Sequence, residues 1–226
     1  MNIIECLKNQ VIISVQAMPD EPLYEEECLI AMMKSVINGG AKALRVAGAR
    51  DVQNAKKLFN VPVIGLTKPG KLPDNWLDVV YITPTMKEVT QLIDAGADII
   101  ATDATKRKRP KESLKEILEG IKKRNKLAMA DISTFEEGIN AKNLGFDIIS
   151  TTLSGYTGYT KSDLKTPDYA LLEKLVKELD CPVILEGRIW EPHEVDKAFS
   201  LGAHAVVIGS AVTRPQLITK RFIERN

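Results

Sequence analysis

Short apolar runs punctuate this chain, each closing on a polar residue, and between them lie stretches whose apolar positions return every three or four residues. The first run, residues 11–15, is β-branched and strand-length, and it ends at Gln16. In residues 25–38, Leu29, Met32, Met33, Val36 and Ile37 keep helical spacing, and Gly39-Gly40 supplies the stop. A second strand over 43–46 carries Arg45 inside it, and a helix over 51–59 follows. The third strand, 61–67, ends at Lys68. Residues 69–78, with two prolines and a glycine, read as an excursion, and residues 79–82 as a short extra strand. Thr85 caps a helix over 86–95, and the fourth strand, 99–102, ends at Asp103.

The second half repeats the scheme. A helix over 112–124 leads to a strand over 127–130 that ends at Asp131. Ser133 or Thr134 then caps a helix with Glu136 and Glu137 in its first turn, where the helix dipole favours them. Strand six, 148–151, opens a polar loop over 152–167, and a helix over 168–179 returns the chain to Pro182-Val183-Ile184-Leu185-Glu186-Gly187-Arg188. Pro192 and Leu201-Gly202 bracket the next helix. The last strand, 205–208, ends in Gly209-Ser210-Ala211 and leads into Thr213-Arg214-Pro215.

Eight strand–helix units with continuous apolar strands predict parallel strands covered on both faces, and so a (β/α)8 TIM barrel in one domain spanning 1–226. Gly40, Gly96, Gly145 and Gly202 each precede an even-numbered strand, which suggests repeated pairs of units. A doubly wound open sheet is the alternative, but it normally has fewer units and one dominant glycine loop.

With 226 residues, 44% of them hydrophobic, the chain can bury one large core. A net charge of +1 offers no stripe for nucleic acid, and the local cluster Lys106-Arg107-Lys108-Arg109 reads as a solvated loop. Cys6, Cys28 and Cys181 are scattered and lack metal or disulfide spacing, so a reducing cytoplasm is the expected location. No run approaches the roughly 18 apolar residues of a membrane span.

In a barrel, the C-terminal ends of the strands converge on one mouth. Those ends are Gln16, Arg45, Lys68, Asp103, Asp131, Thr152, Glu186, and Gly209 with Ser210. Helix capping or loop polarity are competing readings for Asp103, Asp131 and Thr152. Arg45, Lys68 and Glu186 resist such readings, because charges on apolar strands are costly to desolvate without a use. The glycines after strands seven and eight leave backbone N–H groups free to hold a phosphate. A lysine, two carboxylates and an arginine beside such a cup suit proton transfer next to a carbonyl. A metal-dependent route would want histidines on strands. His193 falls on a helix and His204 precedes strand eight, so both read as structural.

Seven segments carry a more specific resemblance. They are Gln16 with Asp20-Glu21-Pro22-Leu23, Tyr81-Ile82-Thr83-Pro84-Thr85-Met86-Lys87-Glu88-Val89, Asp103-Ala104-Thr105-Lys106-Arg107-Lys108-Arg109-Pro110, Leu127-Ala128-Met129-Ala130-Asp131-Ile132-Ser133-Thr134, Ser150-Thr151-Thr152-Leu153-Ser154-Gly155-Tyr156-Thr157, Glu186-Gly187-Arg188-Ile189 and Thr213-Arg214-Pro215-Gln216. Across nearly the whole chain this resembles the bacterial N-acetylmannosamine-6-phosphate 2-epimerases. The resemblance implies a (β/α)8 barrel that interconverts the 6-phosphates of N-acetylmannosamine and N-acetylglucosamine in amino-sugar and sialic acid breakdown. It makes Lys68 the essential lysine and Glu186 the carboxylate, and it puts Arg45, Asp131 and Gln16 on the sugar. Thr152 and Asp103 are further substrate candidates. The phosphate falls to Gly187, Arg188, Gly209 and Ser210, with Arg214 as the cation. Such a site takes a small phosphosugar and calls for no metal, nicotinamide or flavin, and the resemblance suggests a homodimer. A lysine Schiff-base aldolase and a non-catalytic phosphosugar-binding barrel are the alternatives.

Overall fold

Each apolar run that closes on a strand-end residue folds as a strand, and each stretch of helical spacing folds as a helix that covers it. The computed structural model describes residues 2–224. Its elements in chain order are α1 (Ile3–Leu7), β1 (Gln10–Val15), α2 (Glu26–Asn38), β2 (Leu44–Ala47), α3 (Ala49–Leu58), β3 (Val63–Leu66), α4 (Met86–Asp94), β4 (Ile99–Asp103) and α5 (Leu114–Lys123). They continue as β5 (Leu127–Asp131), α6 (Phe135–Leu144), β6 (Ile148–Ser150), α7 (Tyr169–Glu178), β7 (Val183–Glu186), α8 (Pro192–Ser200), β8 (Ala205–Ile208), α9 (Ser210–Thr213) and α10 (Pro215–Glu224). The strands pair in sequence order, all parallel, and β8 closes on β1 from Gln10↔Ala205 to Ile13↔Ile208. This is the (β/α)8 barrel.

Side chains alternate across a strand, so each parity has its own core. Ile12, Ile64, Leu66, Ile99, Met129, Ile148, Ile184 and Val207 pack inside the barrel. Ile13, Val15, Leu44, Val46, Ile100 and Leu185 pack outward under the helices. With both faces buried, the strands read as continuous apolar runs. The inward parity, counted toward the C-terminal ends, runs through Ser14 and Gln16, Arg45, Lys68, Asp103, Asp131, Ser150 and Thr152, and Glu186. The barrel geometry thus gathers the polar ends above an apolar plug.

Gly40, Gly96, Gly145 and Gly202 have φ of 104°, 98°, 106° and 90°, the left-handed conformation that lets a helix stop and turn into the next strand. Thr85 and Thr134 each cap a helix, with Glu88 and Glu137 reaching back to the cap.

Two readings change, and one element is new. Residues 79–82 form no strand. The segment crosses between the tops of β3 and β4, where Thr83 N–H donates to the Thr67 carbonyl and Asp103 N–H to the Ile82 carbonyl, with Ile82 buried in the inner core. β3 and β4 pair only at Ile64↔Ile99 and Gly65↔Ile100, so the crossing chain takes the place of further ladder. The cluster at 106–109 is not simply solvated. Arg107 is 7% exposed and donates to the carbonyls of Trp76 and Leu77, while Arg109 donates to those of Thr83 and Pro84. The two arginines fasten the excursion over 69–78 and its exit to the barrel top. The pattern does not mark α1. His204 Nε2 lies 2.8 Å from the Ile4 carbonyl, tying α1 to the barrel floor.

Candidate active site

A cavity of about 440 Å3 opens over the C-terminal ends of the strands, and its walls include Gln16, Lys68, Thr152, Glu186, Gly209, Ser210 and Arg214. A smaller cavity of about 170 Å3 shares Gln16, Lys68 and Arg214 with it. Lys68, just past β3, therefore stands at the junction of two spaces.

Lys68 has no ion-pair partner among the described residues. Its pKa is lowered from 10.5 to about 8, first by burial and then by the Arg45 charge, with Glu186 pulling the other way. About a tenth of it is then neutral at pH 7, against roughly one part in three thousand at the ordinary value. That is the condition a lysine base needs.

Beneath the cavity lies a buried ionic group. Arg45 is 1% exposed and its Nη1 and Nη2 donate to Asp131 Oδ1 and Oδ2 at 3.2 and 2.7 Å. Arg45 Nη1 also stands 3.4 Å from Glu186 Oε2. Burial works against the Arg45 charge, but Asp131 and then Glu186 outweigh it, so its pKa is raised. Thr152 Oγ1 reaches both Asp131 Oδ1 and Glu186 Oε2. Glu186 has a raised pKa, mainly because burial disfavours its charge, with Arg45 opposing and Asp131 reinforcing the shift. The carboxyl that borders the cavity is held toward its neutral form.

The far wall is glycine-rich. Gly187 and Arg188 have φ of 112° and 59°, and a Cβ built on Gly187 meets nothing within 4 Å. The chain after β7 therefore turns with open space in front of its backbone. Thr213 Oγ1 donates to the Ser14 carbonyl at 2.9 Å, which fixes the short α9 beside β1. Arg214, 3.1 Å from Glu21 Oε2, stands over the same wall. Gln16 Nε2 donates to Ser14 Oγ at 2.7 Å, and its Oε1 is buried without a partner. A buried carbonyl left unmatched is an unmet acceptor, here on a residue that lines the cavity.

The family profile described as "Putative N-acetylmannosamine-6-phosphate epimerase" matches residues 29–226. The chain belongs to the N-acetylmannosamine-6-phosphate epimerase family. Relatives carrying the name "Putative N-acetylmannosamine-6-phosphate 2-epimerase" include one from Clostridium perfringens, 48% identical over 223 residues and 98% of each chain. Another, from Caldanaerobacter subterraneus subsp. tengcongensis, is 50% identical over 231 residues, covering 99% of this chain and 93% of the relative. The solved structure of the N-acetylmannosamine-6-phosphate 2-epimerase from Clostridium perfringens matches with a TM-score of 0.94 at 46% identity, covering 100% of this chain and 97% of that one. A thiamine phosphate pyrophosphorylase from Pyrococcus furiosus, at TM-score 0.62 and 16% identity, shares the fold alone.

Within this epimerase-family barrel, three expected substrate contacts, Asp103, Arg45 and Asp131, fall off the cavity wall, and the Arg188 side chain is partly held by the loop beside it. Asp103 is fully buried and bonded to Arg107 Nη2 at 2.5 Å and Thr105 Oγ1 at 2.7 Å, and it does not line the cavity. An arginine four residues along the chain has claimed it, so it anchors the excursion. The Arg188 guanidinium donates to the carbonyls of Thr166 and Ser154, both at 2.8 Å, and lies over Tyr156, which holds the 152–167 loop. Its Nε and Nη1 are thus engaged, while its backbone and Nη2 stay open to a phosphate on the cavity wall. Arg45 and Asp131 lie under the cavity floor, where they hold Glu186 and Thr152 instead of lining the space. Tyr81, whose pKa burial pushes up to about 12, lines the cavity and escaped the sequence reading because it sits on the crossing segment.

Proposed function

We propose that this chain interconverts N-acetylmannosamine 6-phosphate and N-acetylglucosamine 6-phosphate by removing and returning the proton at C2. Lys68 carries the reading. It is a lysine with a pKa of about 8 on the wall of a cavity it shares with Glu186, with a glycine-rich turn and Arg214 also on the wall. The sugar opens to its aldehyde, with proton exchange at O1 and O5 served by Glu186. Lys68 takes the C2 proton, which the neighbouring carbonyl acidifies, and an enolate forms. Because Arg45 lies below the floor, the group that meets the enolate oxygen is protonated Glu186, and Arg45 and Asp131 hold that carboxyl in place. The Lys68 ammonium returns a proton to the opposite face of C2 once the enolate has turned in the site, which inverts C2 and leaves the lysine neutral again, and the ring closes.

The phosphate rests on backbone N–H groups at Gly187, Arg188, Gly209 and Ser210, with Arg214 as its cation. It orients the sugar from a point remote from C2. Gln16 Oε1, unpaired in the free protein, accepts from the substrate. The protein works in the cytoplasm in amino-sugar and sialic acid breakdown. Among the described residues no helix is long and apolar enough to cross a membrane. A homodimer fits α10, which buries none of its residues and leaves Phe222 77% and Ile223 73% exposed.

A lysine with a lowered pKa also suits Schiff-base chemistry, so an aldolase is the second reading. Both are tested by incubation with N-acetylmannosamine 6-phosphate, with the unphosphorylated sugar in parallel and borohydride added to a third sample. The epimerase reading expects the gluco product from the phosphosugar, much less from the free sugar, and no covalent capture at Lys68. Capture with cleavage products would replace it with the aldolase.

A further inference from the structure

Thr152 Oγ1 lies 2.8 Å from Asp131 Oδ1, 3.0 Å from Glu186 Oε2 and 2.8 Å from Ser150 Oγ. A threonine hydroxyl has one proton to donate and two lone pairs that accept. It can serve one of these carboxylates as donor and not both. With both ionised, one contact would set oxygen lone pairs against each other in a site where Asp131 is 0% and Glu186 16% exposed. Arg45 decides which group keeps the charge. It grips both oxygens of Asp131, at 3.2 and 2.7 Å, and approaches Glu186 with a single nitrogen at 3.4 Å.

We propose that Glu186 rests as a neutral carboxylic acid that donates its proton to Thr152 Oγ1, while Thr152 donates its own proton to Asp131. Thr152 is then a positioning residue, accepting from Ser150 and Glu186 and donating to Asp131, so that all its bonding capacity is used. Of the charged groups that face Glu186, Asp131 on β5 repels a second negative charge. Arg45 on β2 and Lys68 beyond β3 oppose that, and burial outweighs them, so the carboxyl is shifted toward its neutral form. A neutral Glu186 also withdraws the anion that would hold Lys68 as a cation. The two groups then meet the substrate as an acid and a base together. When Glu186 gives its proton to a substrate oxygen, its own O–H bond breaks as the new one forms. In ring opening that oxygen is O5, and the carboxylate takes the proton of the C1 hydroxyl as the carbonyl forms, so Glu186 is neutral again when the enolate appears; reclosure reverses both transfers. The resting arrangement stands on geometry, and its use in turnover rests on the epimerase reading.

Infrared spectroscopy of the unliganded protein near neutral pH reads the proton without any turnover. The expected result is a protonated-carboxyl C=O band that moves on deuteration, disappears in Glu186→Gln, shifts in Thr152→Val and stays in place in Thr152→Ser. A wild-type protein without the band, or a band that survives Glu186→Gln, overturns the proposal. In turnover, Thr152→Val should lower kcat about tenfold or more with little change in KM, and Thr152→Ser should restore it. Equal losses in the two variants, or a loss confined to KM, would remove Thr152 from the positioning role. Failure of the epimerase reading is distinct, since it would leave the band intact and the wild type unable to turn the phosphosugar over.

Discussion

Arg45 and Asp131 face each other inside the barrel as a two-pronged ion pair, at 3.2 and 2.7 Å, with exposures of 1% and 0%. Neither charge has water to fall back on. Their partners are unequal, because Arg45 also has Glu186 at 3.4 Å, whereas Asp131 has Arg45 as its one ion-pair partner among the described residues.

Removing one member of a buried pair costs about 3–5 kcal/mol, while replacing both with apolar groups is often near neutral. Arg45→Met should therefore lose roughly that amount in urea unfolding, and it strands two carboxyls. Asp131→Leu should lose less, since Glu186, relieved of the Asp131 charge, can ionise and pair with Arg45. The double variant should be more stable than Arg45→Met and yet inactive, because Glu186 loses its supports. Equal stability in all three variants would mean that the pair does not organise the barrel mouth.

Lys68 sets an opposite balance between stability and function. Its folded-state pKa of about 8 lies below the ordinary 10.5, so between those values the unfolded chain holds a proton that the folded one has released. Stability from this group thus rises with pH across the window, and below about 8 the full cost of burying the cation is present. Lys68→Met keeps the stem and drops the ammonium. It should be the more stable protein at neutral pH, on the order of 1–2 kcal/mol after allowing for solvent in the cavity, with the gap closing above about pH 10. Thermal unfolding across that range checks it, and a variant less stable at pH 7 contradicts it.

Gln16 is held by its amide nitrogen on Ser14 while its carbonyl oxygen stays buried and unpaired. An unmatched buried acceptor costs about 1–3 kcal/mol. Gln16→Met should fold at least as stably as the wild type and raise KM about tenfold, with the larger change in kcat/KM. Unchanged KM would mean that the free carbonyl has no part in recognition.

Much of this was legible in the sequence, because barrel geometry follows from strand parity. Once Ile64, Leu66 and Ile184 are inward, Lys68 and Glu186 must be inward too, and a glycine after each of the last two strands marks an open turn. What the sequence hid are the partners that long side chains choose. Asp103 ends its strand as Asp131 does, yet Arg107 reaches back and takes it. Arg188 stands beside the glycine turn, yet its guanidinium is drawn to the Ser154 and Thr166 carbonyls. Residues 79–82 have strand composition, but they cross between two strand tops and find no ladder. Arg45 was readable as an inward charge. Its place below the cavity, as a support for the carboxyls, depends on how the strands stagger around the ring.

The most direct test follows the hydrogen at C2. In D2O with N-acetylmannosamine 6-phosphate, proton NMR should show the gluco epimer appearing with deuterium at C2, and Lys68→Ala should abolish both exchange and conversion while remaining folded. Conversion with full exchange in Lys68→Ala would contradict the account, since the base would then lie elsewhere in the site.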